Sequence, residues 1–255
     1  MTTTSVPNSW ITCYKPNSKA CLRLFCFPHA GGGALSFRSW SNDLPPTVEV
    51  CPIELPGRGI RFMETPLTQL DLLVRSLAEA ILPYLDKPFV FFGHSMGALL
   101  SFELARLLFK AYNITTLHLF ISACHAPQIP SSKPPIHALP EAEFIEELRR
   151  LNGTPKAVLE DKEMMQLLIP ILRADFAVVE TYAYATDFPL KCPITAFGGL
   201  SDRAVSCDRL EAWREQTCAS FTLHMFPGDH FFWQSSQQIF LRIFSRKLYQ
   251  ITTHI

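Results

Sequence analysis

Short apolar runs recur along the chain, and helix-like segments separate them. A sheet whose strands alternate with helices in this way is mostly parallel, with helices on both of its faces. The runs are apolar almost throughout, which is typical of strands that are buried on both sides. We therefore predict an α/β fold. The runs are RLFCF at 23–27, VEVCPIEL at 48–55, FVFFG at 89–93, LHLFISAC at 117–124, PITAFGG at 193–199 and FTLHMF at 221–226.

Helices are predicted where apolar residues recur at three- and four-residue spacing, as in TQLDLLVRSLAEAILPYL at 68–85, MGALLSFELARLLFKAY at 96–112 and SQQIFLRIFSRKLYQ at 236–250. Residues 125–191 interrupt the alternation, because they contain no convincing strand. We interpret this insertion as a helical lid over a site; extra packing on one edge of the sheet is the alternative. The apolar side chains expected to form the wall of an acyl chamber are Phe144, Leu148, Met164, Met165, Leu168, Phe176 and Tyr182.

The composition is that of one domain, residues 1–255, without net charge. The 23 basic residues balance the 23 acidic ones, so neither nucleic acid nor an acidic membrane surface is expected as a partner. No stretch approaches the roughly 20 apolar residues that span a bilayer, and the first residues do not have the pattern of a signal peptide. The 8 cysteines include no CxxC pair that would indicate zinc or redox chemistry. We expect a cytoplasmic protein with reduced thiols.

The stretch FVFFGHSMGALLSFELAR at 89–106 carries a GxSxG motif between a predicted strand and a predicted helix. This is the setting of a nucleophile elbow, in which a tight turn exposes the serine hydroxyl above the strand end. The flanking glycines avoid backbone clashes, and the helix directs its N-terminal amides towards a developing oxyanion. We predict Ser95 as a nucleophile; the alternative is a serine that only occupies a turn.

A serine nucleophile needs a base that removes its proton and an acid that orients the base. In this fold the chain order is serine, acid, histidine. His230, directly after the last strand-like run, has the required order and location, and Asp202 lies in a loop after the preceding run. Asp229 is the rival acid, but it adjoins the histidine, and neighbouring side chains diverge. Asp208 is a more distant alternative, since a helix would already have begun there.

An oxyanion hole needs two backbone donors, the amide after the nucleophile and one from the loop after an early strand. Met96 supplies the first. The loop in FCFPHAGGGALSF at 25–37 supplies the second, for which the Ala30 amide is the candidate. A phosphate-binding glycine loop is disfavoured, because neither GxGxxG nor GxxxxGK[ST] is present. Arg58 and Arg61 in LPGRGIR could form an anion site, although structurally paired arginines are commoner.

The sequence resembles the free-standing type II thioesterases, α/β-hydrolase relatives that serve polyketide, nonribosomal-peptide and fatty-acid synthases. The similar pieces cover almost the whole chain. They are FPHAGGGALSFRSW at 27–40, LPGRGIRFMETP at 55–66, FGHSMGALLSFELAR at 92–106, PPIHALPEAEFIEELRRLNGTP at 134–155, RADFAVVETY at 173–182, FGGLSDRAVS at 197–206 and FPGDHFFW at 226–233. Two departures are small: Thr65 stands where the family often has a second proline, and Asn152 where it often has glycine.

The resemblance implies an α/β-hydrolase fold and the hydrolysis of acyl thioesters on the phosphopantetheine arm of acyl or peptidyl carrier proteins. It places Ser95, Asp202 and His230 in a catalytic triad and the amides of Ala30 and Met96 in the oxyanion hole, with no metal and no cofactor. An esterase or lipase of the same fold would use the same triad. A non-catalytic relative that binds ligands is the alternative from another class of protein.

Overall fold

The computed structural model describes residues 9–131 and 134–255; residues 1–8, which belong to the stretch on which the signal-peptide expectation rests, lie outside this part of the chain. Within it, the strands form one parallel sheet with the order β2-β1-β3-β4-β5-β6. The strands are β1 (Leu22–Phe27), β2 (Val48–Pro52), β3 (Phe89–His94), β4 (Leu119–Ser122), β5 (Ile194–Gly199) and β6 (Phe221–Phe226). The predicted parallel sheet is thereby confirmed.

The α-helices of the described residues are α1 (Trp40–Asp43), α2 (Leu70–Ile81), α3 (Met96–Tyr112), α4 (Glu141–Leu151), α5 (Lys156–Glu160), α6 (Lys162–Glu180), α7 (Cys207–Glu211), α8 (Phe232–Ser235) and α9 (Gln237–Thr252). Short 3-10 helices cover Ala34–Phe37, Gly59–Arg61, Leu82–Tyr84 and Ala212–Gln216. The three helices predicted from apolar spacing correspond to α2, α3 and α9.

The sheet is buried on both faces, which explains why its strands read as continuous apolar runs. In β1, Phe25 and Phe27 face the core that α2 and α3 complete, whereas Leu24 and Cys26 face the core that α9 completes. Successive side chains of a strand point to opposite faces, so both sets must be apolar when helices cover both sides.

Two strands are shorter than the sequence predicted, for identifiable reasons. β2 ends at Pro52, and the next residue, Ile53, forms an isolated bridge with Ile11 instead. β4 ends at Ser122 because Ala123 has a φ of 49°, a left-handed conformation that cannot continue a strand. The apolar pattern locates a strand, but it does not show where the backbone turns away.

The insertion of residues 125–191 lies between β4 and β5 and supplies α4, α5 and α6, and its described residues include no strand of the sheet. These helices share a small apolar core of their own, centred on Phe144, Leu148 and Met165. Asn152 ends α4 with a φ of 54°. Asparagine tolerates the left-handed conformation better than most residues, so it can stand where the family often has glycine.

No helix in residues 9–131 or 134–255 is both long and apolar enough to cross a membrane.

The ring of His118, directly before β4, contacts residues of β4 and β5. Its Nε2 is 2.8 Å from the Thr195 hydroxyl, and its ring stacks on Phe120 at a centroid distance of 4.3 Å. Burial, helped by the positive charge of Lys247, lowers the pKa of His118 to about 3. The folded protein therefore holds this ring neutral at pH values at which an unfolded histidine takes up a proton.

We expect His118→Gln to weaken the dependence of stability on pH. A lowered folded pKa contributes stability above the unfolded value of about 6.5, and this stability is lost as the pH falls towards about 3. In urea titrations between pH 6 and pH 4.5, the slope of the unfolding free energy against pH should fall by about 1 kcal/mol per pH unit. Equal slopes for parent and His118→Gln would contradict the prediction.

Candidate active site

Ser95 occupies the turn between β3 and α3, where the chain reverses direction within one residue. Its φ of 53° and ψ of −117° are rare for a residue with a side chain. The Ser95 amide donates a hydrogen bond of 2.8 Å to the carbonyl of Ser122, which holds the turn against the end of β4. This backbone conformation is that of a nucleophile elbow.

The glycines of the GxSxG motif permit two close backbone approaches. A Cβ at Gly93 would lie 2.2 Å from the carbonyl oxygen of Gly97, and a Cβ at Gly97 would lie 2.1 Å from the carbonyl oxygen of Phe27. Real Cβ atoms do not make contacts this short, so neither position accepts a side chain without movement of the backbone. The spacing of the motif therefore reflects the packing of α3 against β1 and β3.

Asp202 and His230, predicted from chain order, meet beyond the carboxyl ends of β5 and β6. The His230 Nδ1–H donates a hydrogen bond of 2.8 Å to Asp202 Oδ2. The other carboxylate oxygen accepts from the amides of Ala204 and Val205 at 2.7 and 3.1 Å. The Asp202 side chain is only 1% exposed, so its carboxylate is fixed in position behind the imidazole.

The environment of Asp202 keeps its carboxyl group ionised. Burial by itself raises the pKa, but the hydrogen bond and charge of His230 and the amides of Ala204 and Val205 outweigh it, so the pKa lies below its ordinary value. An ionised carboxylate accepts the Nδ1 proton of the imidazole and leaves Nε2 free to act as a base.

The rival acids of the sequence analysis have other surroundings. Asp229 accepts from the amide of Phe231 at 2.9 Å and from the Asn152 side chain at 3.3 Å, so it shapes the histidine loop and links it to the end of α4. Asp208 lies in the first turn of α7. The carboxylate that hydrogen-bonds to His230 is that of Asp202.

Ser95 and His230 line the same cavity, which has a volume of about 820 Å³. No hydrogen bond joins the Ser95 hydroxyl to the His230 ring in the described part of the chain. Catalytic hydrogen bonds are often long in the absence of substrate and tighten when it binds. The two side chains share the space in which a substrate carbonyl would have to sit.

Two further histidines, His29 and His94, lie near His230, and burial keeps both rings neutral. The His94 ring is 5.3 Å from that of His230, and its Nδ1 is 2.9 Å from the Ser122 hydroxyl. Burial, together with the charges of His230 and Arg58, lowers the pKa of His29 to about 4; burial also places the pKa of His94 well below its ordinary value. The sequence shows that His29 and His94 lie in motif loops, but it gives no reason to expect their rings near His230.

The two candidate oxyanion amides, those of Ala30 and Met96, belong to residues that line the cavity next to Ser95. Met96 is the first residue of α3, and the first four amides of an α-helix have no partner within the helix. Ala30 lies in the loop after β1, within a turn in which the Gly32 amide donates a bond of 2.9 Å to the carbonyl of His29.

The predicted acyl-chamber residues divide into two groups. Leu148 and Phe176 line the cavity. Phe144, Met165 and Leu168 pack, like those two, in the core shared by the insertion's helices, but they do not reach the cavity. Met164 is 45% exposed, and the Tyr182 hydroxyl donates a bond of 2.6 Å to Glu103. None of these five lines the cavity. Apolar spacing identified the inner faces of the helices, and most of those faces pack against each other.

Arg58 and Arg61 are paired within the protein, so they do not form the anion site considered from the sequence. Arg58 forms a buried ion pair with Asp175. Arg61 pairs with Glu64, and its guanidinium lies 3.8 Å from the centre of the Trp10 ring.

The cavity also contains a cysteine, and the described residues show no metal site. Cys124 lines the cavity, but burial raises the pKa of its thiol to about 12, so it is protonated and a poor nucleophile. In residues 9–131 and 134–255, no group of three or more histidine, cysteine, aspartate or glutamate side chains is arranged to hold a metal ion.

Comparison with known proteins identifies the family to which the chain belongs. A family model described as the thioesterase domain matches residues 22–248. The gramicidin S biosynthesis protein GrsT of Aneurinibacillus migulanus is 52% identical over 248 residues, which are 97% of each chain. Thioesterase PikA5 of Streptomyces venezuelae is 34% identical over 224 residues, 88% of this chain and 79% of its own.

Among solved structures, that of the type II thioesterase BorB from the borrelidin biosynthetic cluster matches with a TM-score of 0.85 and 36% identity, covering 93% of this chain and 97% of BorB. The resemblance to type II thioesterases seen in the sequence motifs is confirmed. The chain therefore belongs to the thioesterase-domain family and has the α/β-hydrolase fold.

Proposed function

We propose that this protein is a cytoplasmic serine hydrolase that cleaves acyl thioesters from the phosphopantetheine arm of acyl or peptidyl carrier proteins. The observation that carries the proposal is the arrangement at one cavity: Ser95 at a strained elbow and His230 hydrogen-bonded to the buried Asp202. Membership of the thioesterase-domain family supports the choice of a thioester over an oxygen ester.

The mechanism follows from the roles that these groups can take. His230 Nε2 accepts the hydroxyl proton of Ser95 while the serine oxygen bonds to the thioester carbonyl carbon, and the amides of Ala30 and Met96 stabilise the oxyanion. The carbon–sulfur bond then breaks, and the imidazolium returns its proton to the departing thiolate. Water, activated by His230, attacks the acyl-serine and releases the carboxylic acid and the free Ser95 hydroxyl.

The insertion of residues 125–191 acts in this proposal as a lid. The cavity extends from Ser95 and His230 to Leu148 on α4 and Phe176 on α6, so an acyl chain on Ser95 would lie against these helices. Apolar contact contributes about 0.8 kcal/mol per buried methylene, which makes chain-length preference graded until the chamber is full.

A direct comparison of substrates tests the proposal. One carrier protein, loaded with acyl groups of increasing length, is incubated with the parent and with Ser95→Ala, and intact mass reports the loss of each group. The parent should clear the carrier and should hydrolyse a free p-nitrophenyl ester with much lower kcat/KM. Efficient ester cleavage without carrier hydrolysis would indicate an esterase or lipase. No labelling of Ser95 by a fluorophosphonate would indicate a binding protein.

Phe176→Trp should shift the preference towards shorter acyl groups, because the larger ring occupies part of the chamber that Phe176 lines. We expect kcat/KM for the longest accepted chains to fall about tenfold while short chains change little, the scale of one or two excluded methylenes. Leu168→Trp is the matched control, since it enlarges a side chain of the same helix that does not line the cavity. Identical chain-length profiles for Phe176→Trp and the parent would contradict the lid role.

A further inference from the structure

A buried ion pair connects helix α6 of the insertion to the loop that carries Ala30. Arg58 and Asp175 meet side by side: Nη1 donates to Oδ2 at 2.6 Å and Nη2 donates to Oδ1 at 2.8 Å. Asp175 is 1% exposed and Arg58 is 7% exposed. Such a bidentate ion pair fixes the relative orientation of the guanidinium and the carboxylate as well as their distance.

Both members of the pair also hold the backbone directly after Ala30. The Gly31 amide donates to Asp175 Oδ2 at 2.7 Å, and Arg58 Nη1 donates to the carbonyl of Gly32 at 3.0 Å. Gly31 has a φ of 76°, and a Cβ there would lie 2.6 Å from a methyl carbon of Leu172 on α6. The loop therefore sits directly against α6, and side chains from outside the loop fix one amide and one carbonyl of it.

These contacts determine the direction of the Ala30 amide. That N–H belongs to the same peptide unit as the carbonyl of His29, which accepts from the Gly32 amide at 2.9 Å. In a planar trans peptide the N–H points opposite to the carbonyl. While Gly31 and Gly32 are held, the His29 carbonyl stays turned into the loop and the Ala30 N–H is directed away from it.

We propose that Asp175 and Arg58 are positioning residues for hydrolysis, and that they fix the Ala30 amide in the oxyanion hole through Gly31 and Gly32. This inference rests on the proposed function, in which the Ala30 amide stabilises the oxyanion. It implies that α6 supplies part of the catalytic geometry in addition to a wall of the chamber, although neither Arg58 nor Asp175 lines the cavity itself.

The test separates transition-state binding from substrate binding. Asp175→Asn keeps the shape of the side chain and removes its charge and one acceptor. Loss of one oxyanion donor costs about 10²–10³-fold in kcat, so displacing one should cost about ten- to a hundredfold. With octanoyl-pantetheine as substrate, we expect kcat to fall by that factor while KM stays within threefold. The affinity for octylboronic acid, which forms a tetrahedral anionic adduct with an active-site serine, should fall by the same factor as kcat.

Two further variants keep the result interpretable if Asp175→Asn is unstable. Arg58→Lys keeps the charge beside Asp175 but cannot make all three of the bonds that the guanidinium donates to Asp175 and Gly32, so its losses in kcat and boronic-acid affinity should be parallel and smaller. Leu248→Ala removes a buried side chain of α9, in the core on the other side of the sheet. It should lower the melting temperature without changing the ratio of boronic-acid affinity to KM.

The outcomes distinguish the inference from the function on which it rests. If Ser95→Ala hydrolyses as fast as the parent, the proposed function and the positioning role are both overturned. If hydrolysis depends on Ser95 but the Asp175 and Arg58 variants retain kcat and boronic-acid affinity within threefold, only the positioning role is wrong. A fall in kcat with unchanged boronic-acid affinity likewise overturns it.

Discussion

Ser95→Ala should reduce thioester hydrolysis by about a million-fold, the scale on which loss of the nucleophile disables a serine hydrolase. The substitution removes a single oxygen atom and leaves no side chain able to bond to the substrate carbonyl. It should not disturb the fold, because alanine carries the same Cβ at a φ of 53° and the Ser95 amide bond to Ser122 is kept. Single-turnover hydrolysis of an acyl carrier protein and a thermal melt measure the two effects.

Ser101→Ala is the matched control for this prediction. Ser101 lies on the same helix, α3, is fully buried, and donates its hydroxyl to the carbonyl of Ala98 at 2.9 Å. Its removal should change stability slightly and turnover by less than tenfold. If Ser95→Ala retained turnover within tenfold of the parent, another group would have to be the nucleophile, and the buried Cys124 would then need to be tested.

The local part of the site could be predicted because each of its residues sits next to a strand end. A parallel sheet brings the carboxyl ends of its strands to one edge, so the segments after β1, β3, β5 and β6 had to converge. The sequence therefore indicated Ala30, Ser95, Asp202 and His230 without any knowledge of distances. The GxSxG motif, the chain order of serine, acid and histidine, and the approximate end of each strand were enough for that prediction.

The parts that could not be predicted depend on contacts between segments far apart in sequence. Arg58 and Asp175 are separated by 117 positions, and nothing in either local pattern indicates that they meet. The prediction of the residues that line the chamber was only partly correct, for a related reason. Apolar spacing shows which face of a helix is buried, but it does not distinguish a side chain that packs only against other helices, as Leu168 does, from one that also lines the cavity, as Phe176 does.

Asp202→Asn should lower kcat by about 10⁴-fold with little change in KM, because the amide would stabilise the wrong tautomer of His230. The Asn oxygen can still accept from Ala204 and Val205, which leaves its NH₂ group facing the Nδ1 atom of the ring. Nδ1 would then become an acceptor and Nε2 would carry the proton, so the ring could no longer take a proton from Ser95. Nitrogen NMR of the histidine side chains reports that exchange of tautomers directly.

Asp229→Asn is the matched control and should lower kcat less than tenfold, since Asp229 bonds to Phe231 and Asn152 but not to the ring. A larger loss in Asp229→Asn than in Asp202→Asn would show that the acid had been assigned to the wrong residue.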